Sequence, residues 1–220
     1  MQKYETVKLF YDEYAYKIVI LNSLSYFFRD KNFAFAKEQI DKLQTQYEKN
    51  QPLRISKFRK EVPVDLLTFT DVKNLYIEFI KARADYKLRI ENPKMQIYSN
   101  NVGWLVKLID RFPNVIEFWE PSQNNLGKLK ANEIIVNSPP EYEYKVTLGD
   151  GVDPNLSRWI SQNPDKAKAG TTCLETIANR GYVKGFYFYV RDEKVLNLIS
   201  LFVGKVMRID KLVYVANSDK

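Results

Sequence analysis

The residue types that most often carry out catalysis are scarce in this chain. Histidine is absent, and Cys173 is the single cysteine. Without histidine, the chain has no Ser-His or Cys-His nucleophile pair and no His-ligated metal. A lone cysteine forms no internal disulfide, which is typical of reducing compartments, and we expect Cys173 to be packed inside a helix. The composition therefore favours a protein that is not an enzyme and needs no cofactor.

Carboxylates leave metal-dependent nuclease activity open as a third hypothesis. Two stretches place an acid ahead of an acid-x-Lys pattern, in which carboxylates hold Mg²⁺ and the lysine assists the water. These stretches are Asp65 with Asp71-Val-Lys73, and Glu120 with Glu143-Tyr-Lys145. Such short patterns are common by chance, so we assign no catalytic residue and no metal ligand.

The densest positive charge is the stretch Arg54-Ile-Ser-Lys57-Phe-Arg59-Lys60, with four cations in seven residues. It lies within Leu53–Val64, which we expect to be irregular or extended. An extended stretch would place its cations along a phosphate backbone while Ile55 and Phe58 anchor it, although a solvated loop is the alternative. Lys87 and Arg89 follow in a second extended stretch, soon after Lys81 and Arg83.

A second candidate is the strand Lys184-Gly-Phe-Tyr-Phe-Tyr-Val190. It partly resembles the first ribonucleoprotein motif of RNA-recognition motifs, in which a basic residue and Gly precede aromatic residues that stack on bases. Alternation along a strand places Phe186, Phe188 and Val190 on one face and both tyrosines on the other. We expect the Phe row to pack beneath helices, so Tyr187 and Tyr189 point outward.

Charge indicates the class of partner. The net charge is +7 and the isoelectric point is near 9.2, which favours an anionic partner, most often nucleic acid. With 15 tyrosines able to stack on bases, the leading hypothesis is a non-catalytic protein that binds DNA or RNA or acts as an accessory to such a protein. The predicted contacts are Arg54, Lys57, Arg59, Lys60, Lys87, Arg89, Tyr187 and Tyr189.

A different class of function remains open: a structural or assembly subunit that acts through protein contacts. Outward aromatic residues, with Trp119 added to the tyrosine pair, would form its interface. The abundance of Lys, Asn, Ile and Tyr resembles proteins of AT-rich genomes, which include many phages. No apolar run is long enough to span a membrane, so we expect a cytoplasmic protein, in the host cytoplasm if viral.

The order of the predicted elements repeats. Tyr14-Ala-Tyr-Lys-Ile-Val matches Tyr142-Glu-Tyr-Lys-Val-Thr, and Gln96-Ile-Tyr aligns with Phe188-Tyr-Val. We therefore predict an α+β fold of two tandem ferredoxin-like units of the β-α-β-α-β type that arose by internal duplication, either docked face to face or forming one pseudo-symmetric domain. The first unit would span 1–121 and the second 133–220, with a linker at 122–132.

Local patterns also predict single elements. Runs of alternating residues predict antiparallel strands over Tyr4–Phe10 and Tyr14–Leu21, and a further strand over Tyr182–Val190. Helical spacing predicts helices near Phe33–Tyr47 and Asp71–Ala84. The predicted N-caps are Asp30 or Asn32, Asn101, Asp153 and Asp192. We take Asp165–Thr171 as the counterpart of the basic run, and expect the first copy, or a cleft between the copies, to make the contact.

Overall fold

A computed structural model describes residues 1–57 and 59–216 and has the predicted α+β composition. The chain divides into two compact units. The first comprises Met1–Thr6 and Tyr14–Pro121, and the second comprises Val7–Glu13 and Ser122–Lys220. In the described part of the chain, no helix combines the length and apolar character that a membrane span requires.

The first unit has a five-stranded sheet that consists of β1 (Gln2–Glu5), β2 (Tyr16–Leu21), β5 (Tyr86–Glu91), β6 (Lys94–Ser99) and β7 (Val115–Glu120). The order of these strands across the sheet is β1-β7-β2-β6-β5. The neighbours β7, β2, β6 and β5 are antiparallel, which is the strand arrangement of a ferredoxin-like unit, and β1 is added in parallel beside β7. The other strands of the first unit are β3 (Arg54–Lys57) and β4 (Lys60–Pro63), and the helices of this unit are α1 (Phe33–Glu48), α2 (Leu66–Lys81) and α3 (Val102–Arg111).

The helices cover one face of this sheet because apolar residues recur on one side of each element. Ile18 and Ile20 alternate along β2 and are fully buried, together with Leu75 of α2 and Leu105 of α3. Asn32 accepts a hydrogen bond from the Phe35 N–H and caps α1, as one of the two predicted candidates. The amphipathic spacing therefore produces the predicted core.

The second unit has a five-stranded sheet that consists of β8 (Glu133–Val136), β9 (Tyr144–Leu148), β10 (Ala167–Ala169), β11 (Tyr187–Val190) and β12 (Val206–Tyr214). The order of these strands across the sheet is β10-β11-β9-β12-β8. Here β8 is parallel to β12, as β1 is to β7, and the remaining neighbours are antiparallel. The helices of the second unit are α4 (Asn155–Gln162), α5 (Thr171–Ala178) and α6 (Glu193–Ile199). Both units thus have the ferredoxin-like strand order, with one parallel edge strand added.

Several local predictions are confirmed in the second unit. Asp192 caps α6 by accepting a hydrogen bond from the Val195 N–H, as predicted. At α4 the N-cap position is occupied by Pro154, and the predicted cap Asp153 lies one residue earlier, where it accepts a hydrogen bond from the Asn155 N–H. Cys173 is buried in α5, and burial raises the pKa of its thiol. Because β10 supplies the edge strand ahead of β11, the second sheet has the four antiparallel strands of a ferredoxin-like unit.

The N-terminal strands differ from the prediction. The first strand ends at Glu5 and pairs in parallel with β7, rather than forming an antiparallel pair with Tyr14–Leu21. The next residues, Val7–Glu13, belong to the second unit, where the Val7 carbonyl accepts a hydrogen bond from the Ile135 N–H of β8. Sequence alternation detects a strand but does not identify its distant partner.

Other elements begin or fold differently from their predictions. The segment Leu53–Val64 contains the β3–β4 hairpin, α2 begins at Leu66 because Asp65 caps it, and β11 begins only at Tyr187. A kinked 3₁₀ segment occupies Ser25–Lys31, in which Asp30 has a positive φ and is not a cap. The stretch Asp165–Thr171 contains the edge strand β10, which is the counterpart of β5 rather than of the basic hairpin.

Candidate nucleic-acid interface

Tyr187 and Tyr189 lie on a central strand of the second sheet, on the face opposite its helices. Between them, Phe188 is fully buried in the core with Val190, so the predicted division of this strand into a core face and an outward face is confirmed. Tyr187 is 45% exposed, and its ring meets that of Tyr189 edge to face, with centroids 5.6 Å apart. Partial burial, followed by the proximity of Tyr187, raises the pKa of the Tyr189 hydroxyl above its usual range.

A lysine on the neighbouring strand completes this aromatic pair. Lys145 of β9 is the register partner of Tyr189, and its Nζ lies 3.9 Å from the centroid of the Tyr187 ring. This is a cation-π contact, and Lys145 has no ion pair among the described residues. We call Lys145, Thr147, Lys168, Tyr187 and Tyr189, which cross-strand pairing places on one side of the sheet, the tyrosine face.

A groove runs beside Tyr189 at the edge of the tyrosine face. It is lined by the edge-strand lysine Lys168 and by an apolar wall of Pro140, Tyr142 and Leu212, with Glu141 at its side. Lys168 is exposed and makes no ion pair or side-chain hydrogen bond within the described residues. The groove therefore joins an apolar surface suited to a flat ring with the ammonium of Lys168, which forms no ion pair among the described residues.

A network of charges lies beside Lys145 on this side of the sheet, because Asp210 of β12 is the register partner of Lys145. Asp210 of β12 is 1% exposed and accepts hydrogen bonds from Lys8 Nζ at 2.7 Å and Arg208 Nε at 2.6 Å. Arg208 also bonds to Asp12, and the segment Val7–Glu13 is thereby held to the second sheet. Because their charges are already paired, Lys8 and Arg208 contribute little free positive charge to a ligand.

The predicted basic run folds as a tight hairpin, which overturns the expectation of one extended row of cations. Lys57 and Lys60 are register partners at its tip, and Arg59 occupies the turn with a positive φ of 63°. Arg54 begins the hairpin and, three residues from Lys57, lies on the other face of β3. Three of the four predicted cations are thus gathered at one tip, and Arg54 is separate from them.

The hairpin is attached to the first unit through its apolar residues and one lysine. Ile55 is buried in the first core, which confirms its predicted anchoring role, whereas the other predicted anchor, Phe58, lies outside the described residues. The Lys57 Nζ lies 5.1 Å from the centroid of the Tyr26 ring. Arg54, Arg59 and Lys60 are exposed. Their side chains make no ion pair within the described part of the chain.

Lys87 and Arg89 lie on β5, apart from the hairpin tip in sequence and in a different sheet. Both are exposed, and residue alternation places them on the side of β5 opposite the buried Tyr86. Arg89 forms an ion pair with Glu91 at 2.5 Å, which offsets part of its charge. β5 is therefore less electropositive than the sequence run implies.

Two carboxylates of the nuclease hypothesis are already hydrogen-bonded, Glu120 to Lys3 and Asp65 to Thr68. Asp65 accepts hydrogen bonds from both the N–H and the hydroxyl of Thr68, and these bonds lower the pKa of Asp65. Burial, and then the nearby charge of Asp65, raise the pKa of Asp71, while Lys73 bonds to Gln44. Within residues 1–57 and 59–216, no three acidic or cysteine side chains are grouped as metal ligands.

Two residues of the surface differ from the sequence-based picture. Trp119, expected to point outward, is partly buried, with the Tyr4 ring stacked on it at 4.4 Å and Lys17 Nζ at 4.0 Å from its centroid. Lys168 was not identified from the sequence because its strand is only three residues long. Strand pairing would have located it, because Lys168 lies directly opposite Tyr189, which lies directly opposite Lys145.

Comparison of the chain with protein-family models, curated proteins and solved structures found no match. The geometry of the described residues is therefore the basis on which function is argued.

Proposed function

We propose that this protein binds single-stranded nucleic acid without catalysing its reaction, and that the tyrosine face of the second unit contacts the bases. The observation that carries the proposal is the pair of exposed Tyr187 and half-buried Tyr189 on a central strand, flanked by Lys145 and Lys168. Aromatic rings on a sheet stack on unpaired bases, while neighbouring cations contact the phosphates between them.

The position of the pair supports this assignment over a purely structural role. The core of the second unit is completed by Phe188 and Val190 on the other face, so the tyrosines are not required to fill it. The cross-strand neighbour of Lys145 on β12 is Asp210, but this carboxylate is bonded to Lys8 and Arg208, and Lys145 forms no ion pair among the described residues. The groove beside Tyr189 adds an apolar wall next to the cation Lys168.

The hairpin of the first unit supplies a second, less specific contribution. Its exposed tip cations, Arg59 and Lys60, would attract phosphate groups and release their counterions, whatever the base sequence. In this proposal Arg54, Lys57, Lys87 and Arg89 add to the same electrostatic attraction. Binding should accordingly weaken as salt concentration rises.

The test is fluorescence anisotropy with short labelled single-stranded DNA, single-stranded RNA and duplex DNA over a range of salt concentrations. We expect salt-dependent binding to a single strand, and a loss of about tenfold or more for Tyr187→Ala and for Tyr189→Ala, because one base stack contributes about 1–3 kcal/mol. Tyr182→Ala is the matched control, since Tyr182 is 75% exposed and lies outside the strands.

Lysine variants separate stacking from charge. Lys168→Gln should weaken binding and reduce the slope of log affinity against log salt by roughly one, because one phosphate contact is lost. Arg59→Gln should act in the same way on every base sequence. Equal affinity of the wild type and the Tyr187→Ala, Tyr189→Ala double variant for every probe, or affinity independent of salt, would remove the proposal.

A further inference from the structure

We infer that the first unit contains a site for a phosphate monoester, in a groove between the end of α2 and the start of α3. This groove has a volume of about 360 Å³, within the range of small-ligand pockets. It is lined by residues of the α2–β5 connection and of α3, among them Lys81, Arg83, Lys107, Gly103 and Trp104. It goes beyond the proposed function, since every lining residue belongs to the first unit and none to the tyrosine face.

Three cations line this groove. Lys81, Arg83 and Lys107 are exposed, and none of them makes an ion pair or a side-chain hydrogen bond with another described residue. The acidic lining residue, Glu78, is bonded to Arg111 and is thus already neutralised. A surface groove that holds three like charges beside one another, with its acid occupied elsewhere, is suited to a group with two negative charges.

Ordinary helix stabilisation does not account for these charges together. Lys81 is the last residue of α2, where a cation offsets the helix dipole. Arg83, however, lies beyond the helix end, and Lys107 is in the middle of α3, six positions after its cap Asn101. The Trp104 N–H, a donor at the start of α3, is already bonded to Asn101. The attraction for a phosphate therefore comes from the three cationic side chains.

The walls of the groove favour a ligand that brings an apolar part with its phosphate. Trp104 packs on Tyr86, with ring centroids 5.1 Å apart, and lines the groove together with Ala82 and Ala84. Gly103 leaves the floor open: an added Cβ would meet only the Asn101 Oδ1, at 3.6 Å. A second cavity continues from Ala84 and Gly103 toward Tyr14, which lengthens the available space. A nucleotide, free or at the end of a strand, has this combination of phosphate and ring.

The test is calorimetric titration of the full chain with inorganic phosphate and with adenosine monophosphate. We expect both to bind, with about tenfold weaker affinity in Arg83→Gln and in Lys107→Gln, because each removes a charge-assisted hydrogen bond. The matched control is Lys49→Gln, which removes one exposed and unpaired lysine of the same unit outside the groove. Gly103→Ala should keep the fold and weaken adenosine monophosphate binding, because the added methyl group occupies the floor.

Anisotropy with one oligonucleotide, made with a 5′-phosphate or a 5′-hydroxyl, identifies the source of the phosphate. A gain from the 5′-phosphate that disappears in Lys107→Gln assigns the groove to strand ends, and binding of adenosine monophosphate without that gain assigns it to free nucleotides. Affinities for phosphate that are equal in the wild type and both Gln variants would overturn the inference. Tyr187→Ala should leave phosphate binding unchanged, so failure of the proposed function is seen separately.

Discussion

The two units place a lysine at the same position of the same strand, and use it differently. Lys17 of β2 and Lys145 of β9 each hold an ammonium about 4 Å from an aromatic centroid. Lys17 is buried and lies 3.9 Å from Glu117, and burial lowers its pKa. Lys145 is half-buried and has no ion pair among the described residues. Equal topology thus yields a closed arrangement in the first unit and an open one in the second.

The partners of these lysines make the same distinction. Lys17 pairs across the sheet with Tyr98, and Lys145 pairs with Tyr189. Tyr98 is 4% exposed and bonds to Gln96, whereas Tyr189 borders the groove that contains Lys168. The comparison indicates that the first sheet uses this face for stability and the second keeps it accessible.

The strongest test of this difference replaces each of the two tyrosines with alanine in a separate variant. Tyr98→Ala should lower the free energy of unfolding by about 3 kcal/mol, because it removes a buried aromatic ring and leaves a cavity. Tyr189→Ala should cost less than half as much stability, yet it should weaken oligonucleotide binding. Urea denaturation of both variants gives the stabilities. A greater loss of stability in Tyr189→Ala than in Tyr98→Ala would contradict the comparison.

A smaller effect concerns the dependence of stability on pH, through Asp12 of the second unit. Partial burial acts to raise the pKa of Asp12, but the bonds from the Asn132 N–H and from Arg208 outweigh it, and the net pKa is lowered. A carboxylate with a lowered folded-state pKa stabilises the fold above its unfolded pKa near 4, and this stability is lost as the pH falls through the folded value.

Asp12→Asn should therefore lower stability by about 1.5 kcal/mol at neutral pH, since a charged hydrogen bond is lost, and by progressively less toward pH 3. Unfolding free energies of wild type and variant, measured from pH 7 to pH 3, should converge. Asp165→Asn is the control, because Asp165 is an exposed acid of the same unit with no ion pair or side-chain hydrogen bond among the described residues. Parallel pH curves for Asp12→Asn and wild type would show that this carboxylate does not anchor Val7–Glu13.

Features that depend on neighbours in the chain could be predicted from the sequence. The caps Asn32, Asn101 and Asp192, and the division of Phe188 from the tyrosines, follow from local spacing. Features that depend on distant pairing could not. The assignment of Val7–Glu13 to the second unit rests on hydrogen bonds to residues more than a hundred positions away.

The repeat itself shows this limit at the level of one residue. Sequence comparison aligned Tyr98 with Val190, but pairing with the equivalent lysines makes Tyr189 its counterpart. A shift by one residue exchanges the two faces of a strand, so the sequence alignment would have matched Tyr98, which lies on the face opposite the helices, with the core residue Val190. The cross-strand register makes Tyr98 and Tyr189 equivalent, and their exposures then distinguish a buried tyrosine from a partly accessible one.

The corrected register also matches the helix caps, and this gives the finest test of the comparison. Asn101 follows Tyr98 by three residues, as Asp192 follows Tyr189, and each caps the helix after its strand. Replacing either cap with alanine should cost about 1 kcal/mol, because an N–H at the helix start loses its acceptor. The loss at Asp192 should shrink as salt is added, since its carboxylate also interacts with the helix dipole, whereas the loss at the neutral Asn101 should stay constant. Urea denaturation at low and high salt measures both, and a salt-independent loss at Asp192 would mean that the two caps act through hydrogen bonding alone.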